Sequence, residues 1–303
     1  MSESTDPTPA PKAYVFLTVT ALCWGCNTVF GRLAVGEVSP MALVMFRWLT
    51  VVILLMVFAR RPVIEDWPAL RHRLPFVLAM GALGFTAFNG LFYVAAHSTT
   101  AVNMGIIQGS IPVFVLIGAF ALYRTPVTAL QFGGVVLTMI GVIIVASGGD
   151  IGRLAALAVN FGDMLMVAAC FLYAGYTVAL RQRPAVSAMA MFTVMAGAAF
   201  VTSLPLAAAE AYLGQFMWPT PKGWLVVAMV ALLPSFLAQT FFMRGVELIG
   251  PGRAGVFVNL VPVFASILAV VFLAEPFELY HAAALALVLG GIWISERGKR
   301  AEA

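Results

Sequence analysis

Ten apolar stretches, each about as long as a bilayer crossing, run almost end to end through this 303-residue chain. Their bounds are 13–33, 40–59, 74–96, 101–123, 127–147, 162–181, 187–209, 224–246, 252–274 and 279–296. A hydrocarbon core of about 30 Å takes about 20 residues of helix. With no water there to satisfy backbone groups, only helices or closed barrels cross it. The longest connections, 60–73, 148–161 and 210–223, leave no room for a separate soluble domain. The expected fold is an all-α integral membrane protein of ten transmembrane helices. Composition agrees, with 62% hydrophobic and 10% charged residues, against about 25% charged in soluble domains. No basic run tracks a phosphate backbone, so membrane lipid is an expected partner and nucleic acid is not.

Residues 1–12 (MSESTDPTPAPK) are polar and proline-rich and read as a disordered tail. The first span is too long for a signal-peptide core and has no basic segment before it, so it reads as a retained helix. The basic residues give an orientation. With the N-terminus inside, thirteen Lys and Arg fall on that side. Three, Arg32, Arg153 and Lys222, fall on the other, and Arg47 lies within a span. The positive-inside rule then predicts that both termini are cytoplasmic.

The chain repeats itself. Residues 89–144 align without gaps to 239–294, with eleven identities in 56 positions. They include Gly105/Gly255, Pro112/Pro262, Pro126/Pro276 and Gly141/Gly291. Near an offset of 149, Asn27-Thr28-Val29 lines up with Tyr176-Thr177-Val178. Five spans is an odd number, so the second copy must enter the membrane from the opposite side. The expected units are a first repeat over 13–147 and a second over 160–297. Inverted repeats mark many secondary transporters, with the substrate site near the midplane where the copies meet.

Positions that carry polar or aromatic groups in both copies are candidates for the cavity wall. Trp24 aligns with Tyr173, Asn27 with Tyr176, and Asn89 with Gln239. Amides within hydrocarbon are costly unless they find partners or line water. Thr86, Asn89 and Tyr93 share one helix face, and Ser235, Gln239 and Phe242 share its counterpart. Trp24, Asn27 and Thr28 form a third such stripe. Helix-to-helix hydrogen bonding also uses small polar groups, and that alternative stands beside the first.

Pro112 and Pro262 sit mid-span with Gln108 and Asn259 within a turn of them. Each proline removes a backbone bond and kinks its helix, so these helices either frame the path or simply pack around a bend. Gly105-x-x-x-Gly109 signals close helix packing, within the bundle or between copies. Arg47, about eight residues inside its span, is costly there. It either holds a substrate carboxylate or serves the structure, and the structural role is favoured. Cys23-x-x-Cys26 has no further ligand near it and reads as packing, so no metal is expected.

The acids Asp163, Glu247, Glu275 and Glu278 lie near span ends. Pumps driven by ions usually keep an acid deep in the membrane, so downhill or weakly coupled transport is expected. Nothing resembles a phosphate-binding loop. The three histidines, 72, 97 and 281, are scattered, so no enzyme and no cofactor are expected.

Trp24-Gly25, Ser39-Pro40, Phe46-Arg47, the stretches Ala95–Pro112 and Gly245–Pro262, Gly162-Asp163 and Glu275-Pro276 resemble the EamA family of the drug/metabolite transporter superfamily. The resemblance spans about 13–297. One departure is Thr125-Pro126, where the family commonly has Glu before Pro. The resemblance implies two inverted EamA repeats and alternating access in the cell's inner (plasma) membrane. Within the family the chain looks most like YddG-type aromatic amino acid exporters. That implies a small-molecule substrate, with Trp24, Tyr93, Tyr173, Tyr176 and Phe242 stacking a ring. Asn27, Asn89, Gln108 and Gln239 would meet the zwitterion, with Asn259 also in the cavity wall. A carrier for a cationic drug or other metabolite, or a polytopic protein without transport, is the alternative. Oligomeric state stays open, and a monomer suffices.

Overall fold

The computed structural model describes residues 9–150, Gly152 and 160–300. Residues 1–8 of the expected tail, and Arg153 of the charge count, lie outside the described residues. Ten of the described helices are long and apolar enough to cross a bilayer. The elements are α1 (Pro9–Ala34), α2 (Pro40–Phe58), α3 (Arg60–His72), α4 (Leu74–Ala95), α5 (Ala101–Tyr123), α6 (Ala129–Ala146) and α7 (Phe161–Ala179). They continue as α8 (Ala188–Tyr212), α9 (Pro221–Ile249), α10 (Pro251–Val258 and Val261–Leu273) and α11 (Leu279–Arg300). All but α3 cross.

Several span ends shift by up to four residues from the sequence reading, and two differences change an assignment. The first helix begins at Pro9, so residues 9–12 are helix rather than tail. Pro9 and Pro11 fall in its first turn, where a missing N–H has no partner to lose. The connection 60–73 is mostly the helix α3. Arg61 and Glu65 pair at 2.7 Å along it, and Ile64 and Trp67 stay exposed.

Side-chain caps start several of the spans. Thr100 accepts from the Asn103 N–H at 3.1 Å, and Thr128 and Gln131 form a reciprocal capping box. Ser187 and Thr220 cap α8 and α9. Large apolar side chains such as Phe58, Leu122, Phe132, Phe171 and Phe272 face outward, as lipid-facing positions require.

The two repeats match in detail. α5 breaks after Gln108 and resumes at Ile111, while α10 breaks after Val258 and resumes at Val261. Pro112 and Pro262 each sit in the first turn of the resumed helix, where proline is tolerated. The expected kinks are therefore breaks one step earlier. α4 and α9 each contain a π-helical segment, Ala82–Ala87 and Ala231–Leu237. α5 and α10 end on left-handed residues one repeat apart, Arg124 (φ 53°) and Ala274 (φ 51°).

The contact between α6 and α11 is reciprocal. A Cβ on Gly141 would meet the Ala284 carbonyl, and a Cβ on Gly291 would meet that of Gly134. Gly134 and Ala284 are equivalent positions, as are Gly141 and Gly291, so one contact is the other turned over by the pseudo-twofold axis. The Gly105/Gly109 pair packs inside the bundle: Gly105 lies against Ala265, and Gly109 against Val288 and Pro262.

Candidate functional site

Mid-span, a cavity lies between the repeats. Every crossing helix except α6 and α11 supplies part of its wall. The π-helical segments position that wall. An extra residue in the turn leaves carbonyls without their usual partners, and such turns recur at functional sites. Side chains take up these carbonyls. Asn89 Nδ2 donates to Phe85 O at 2.6 Å, Ser235 Oγ to Val230 O at 2.5 Å, and Trp24 Nε1 to Pro234 O at 3.1 Å.

Arg47 stands at the centre of this arrangement. It is 5% exposed. Its Nε donates to Ser235 Oγ at 2.6 Å. Its Nη1 donates to Asn89 Oδ1 at 2.6 Å, Tyr93 OH at 2.5 Å and Asn27 Oδ1 at 3.3 Å. Tyr93 OH in turn donates to Asn27 Oδ1 at 3.1 Å. One guanidinium thus joins α1, α2, α4 and α9, three helices of the first repeat and one of the second. It also faces the Trp48 ring, with 5.3 Å to the centroid. Trp48 itself stacks on Phe85 at 4.7 Å, nearly parallel.

Seven of the ten expected cavity residues line the wall: Trp24, Asn27, Asn89, Gln108, Tyr173, Gln239 and Asn259. Pro112 lines it too, while Pro262 packs beside Gly109. Tyr93, Tyr176 and Phe242 stand behind the wall, a correction with a physical cause in each case. Tyr93 is fully turned into the Arg47 network. Tyr176 packs under Phe85 and Tyr173, with centroids at 5.6 and 5.3 Å, and fills the space left by the missing Cβ of Gly84. Phe242 backs Trp24 at 5.3 Å. Thr86, on the same stripe as Asn89, turns to α8 and donates to Ala199 O at 3.0 Å.

The sequence favours a structural role for Arg47 over a substrate-holding one and does not single out Trp48, Phe85, Phe88 or Phe192, yet all five line the wall. For Arg47 the signal was present, since a mid-span cation needs several partners. The aromatic residues gave none, because ring-bearing positions are also ordinary bundle filler.

One family model matches the chain twice, over residues 11–147 and 160–296: the EamA-like transporter family. The chain belongs to that family. The uncharacterized transporter YetK of Bacillus subtilis (strain 168) is 31% identical over 290 residues, covering 93% of this chain and 86% of the relative. A second protein of that organism, the uncharacterized transporter YyaM, is 24% identical, covering 92% of each. A crystal structure 19% identical in sequence aligns with a TM-score of 0.66, over 96% of this chain and 99% of the other. At that identity the likeness concerns the fold. As an EamA-like transporter, this chain is a multi-pass membrane protein built as two inverted five-helix repeats.

The EamA repeats are tied together at both ends of the bundle, with most of the acid bridges at one end. Away from the termini, acids bridge them. Ser39 Oγ donates to Glu210 at 2.6 Å, and Lys222 pairs with Glu37 at 3.1 Å. Glu275 accepts from the Ala101 and Val102 N–H groups, both at 3.0 Å, and pairs with Arg32 at 3.6 Å. A carboxylate there also complements the positive end of the α5 dipole. Asp163, 1% exposed, accepts from Thr99 and from Asn103, and Asn103 bonds His281 at 3.0 Å. Of the acids near span ends, Asp163 and Glu275 are therefore inward-facing partners, while Glu247 and Glu278 are exposed. At the terminal-bearing end the ties are exposed: Asp66 accepts from the Ser187 N–H at 2.9 Å and from its hydroxyl at 2.6 Å, beside Arg181 to Thr125 at 3.2 Å, Gln182 to Tyr123 at 3.0 Å and Arg253 to Tyr14 at 3.0 Å. At Thr125, where the family commonly has an acid, an arginine donates to a hydroxyl instead.

Proposed function

We propose that this EamA-like transporter is a secondary carrier that exports amino acids, aromatic ones in particular, by alternating access through the central cavity. One observation carries this reading. The same wall joins aromatic rings, Trp24, Phe85, Phe88 and Tyr173, to the amides Asn27, Asn89, Gln108 and Gln239. Rings offer stacking to an aromatic side chain, and amides offer both donors and acceptors to a zwitterion. The solute would sit where the inverted repeats meet, as in other carriers of this build. Access from the far side would require the acid-mediated ties at Glu37, Glu210 and Glu275 to part.

The carrier lies in the plasma membrane with both termini cytoplasmic, as the distribution of basic residues supports. Among the described residues no acid lines the cavity wall, which favours downhill transport over tight proton coupling.

Counterflow in proteoliposomes with a panel of labelled amino acids tests the function. Saturable counterflow with aromatic substrates is the expected result. Flux that rises linearly without saturation would point to a pore, and dependence on an imposed pH gradient would overturn the downhill reading. Orientation is tested by impermeant maleimide on cysteines placed at Arg71 and at Lys222. Labelling from opposite faces is expected, and labelling from the same face sinks the inverted arrangement.

A further inference from the structure

We propose that Arg47, assisted by the indole N–H of Trp48, anchors a carboxylate on the transported solute, so that the carrier takes carboxylates, zwitterions included, and rejects solutes that carry only a positive charge. This rests on the carrier reading above and adds the substrate chemistry.

Among the described residues no acid stands beside Arg47. Every partner that it has among the described residues is neutral: Ser235, Asn89, Tyr93 and Asn27. An isolated charge in a low-dielectric interior is costly, and dipoles offset it less well than a counter-ion does. A guanidinium carries five N–H donors. Nε and Nη1 are engaged, while Nη2 makes no bond among the described residues. Arg47 lines the cavity, so an entering anion meets a charge that the protein has left uncompensated.

A second donor stands next to it. Trp48 is 3% exposed and lines the same cavity, and its Nε1 is buried with no partner. An orphaned buried donor is rare enough to need an explanation. Gln108 supplies the complementary case. Its Oε1 is buried without a partner in the same wall, and it is an acceptor, suited to an ammonium.

The charge is also one-sided. At the equivalent turn of α8 the second repeat carries Met195, Ala196 and Gly197. Asn89 has an amide counterpart in Gln239 and Trp24 a ring counterpart in Tyr173, but Arg47 has no charged counterpart, so the site has a polar sense. A carboxylate binds at the α2 side, and a solute with only an amine meets a positive charge that no acid of the wall opposes.

The test uses the purified full chain in detergent and three probes that share a ring: L-phenylalanine, 3-phenylpropanoate (no amine) and phenethylamine (no carboxylate). Ligand-induced shifts of the melting temperature are recorded for wild type, Arg47→Gln and Arg47→Lys. In wild type, both carboxylates raise the melting temperature and phenethylamine does not. Arg47→Gln weakens carboxylate binding by about tenfold or more, as loss of a charged hydrogen bond implies. Arg47→Lys keeps part of it, since an ammonium retains the charge without the planar fork.

If Arg47→Gln fails to fold, the wild-type panel decides alone. An equal response to phenethylamine, or no response to either carboxylate, overturns the anchor, as does unchanged binding in a folded Arg47→Gln. A response to 3-phenylpropanoate without one to phenylalanine upholds the anchor and sinks the amino acid reading. Phenylalanine counterflow alongside equal binding of phenethylamine does the reverse.

Discussion

Arg47 and Asn89 form a two-way orienting pair: the amide oxygen accepts from Arg47 Nη1 at 2.6 Å while the amide nitrogen donates to Phe85 O at 2.6 Å. The π turn of α4 frees that carbonyl, and the amide satisfies it and the cation at once. Replacing Asn89 by Leu removes both bonds and leaves a buried charge short of an acceptor. The expected loss is about 2–3 kcal/mol, since bonds to charged groups contribute about 1.5–3 kcal/mol. Melting of Asn89→Leu in detergent measures it. A variant as stable as wild type would show that Arg47 is satisfied without this amide.

Trp24 and Tyr93 should separate under mutation. Trp24 lines the cavity, whereas Tyr93 is 2% exposed and spends its hydroxyl on Arg47 and Asn27. Trp24→Ala is expected to lower counterflow of aromatic amino acids several-fold more than that of aliphatic ones. Tyr93→Phe keeps the ring and removes the hydroxyl. It is expected to lower stability by about 1–2 kcal/mol and to affect all substrates alike. Selective loss of aromatic transport in Tyr93→Phe would move that residue back to the wall.

Much of this architecture is legible in the sequence. Span ends follow from hydropathy because lipid imposes length and apolarity on every crossing segment. The inverted repeat follows from Pro112/Pro262 and Gly141/Gly291 in register. The wall is legible where polarity recurs in both copies, as at Asn89 and Gln239, and beside the mid-span prolines, as at Gln108 and Asn259. Tyr93, Tyr176 and Phe242 share helix faces with wall residues but are turned away by neighbours from other helices, which periodicity does not record. The π turns of α4 and α9 shift side chains off the 3.6-residue period, so Thr86 and Asn89 point to different partners although they are three apart. Arg47 was visible as an oddity. Its role depends on Ser235, nearly 190 residues away, and no local pattern carries that.

The reciprocal glycine contact between α6 and α11 makes a symmetric prediction. A Cβ at Gly134 would meet the Gly291 carbonyl, and one at Gly291 would meet Thr138 and the Gly134 carbonyl. Both clashes involve backbone, which cannot swing aside as a flexible side chain does. Gly134→Ala and Gly291→Ala should each destabilise by about 1–3 kcal/mol, the usual cost of overpacking. The double variant should cost less than the sum, because separating the helices relieves both clashes together. Additive losses in melting experiments would show two independent contacts instead.

Glu37 links acidity to the tie between the repeats. The Thr220 hydroxyl and then the Lys222 ammonium hold its carboxyl below the usual carboxylate range. A carboxyl with a lowered folded value contributes stability that is fully present above its unfolded value of about 4.3. That contribution fades as pH falls from there through the folded value, because the unfolded chain takes up the proton first. Stability of wild type relative to Glu37→Gln should therefore be greatest near neutral pH and shrink on acidification below about pH 4.3. Thr220→Val, which removes the larger cause, should move the fading to higher pH. Melting curves of the three proteins between about pH 3 and pH 7 read this directly. A wild-type advantage independent of pH across that range would mean that Glu37 acts through packing rather than through its charge.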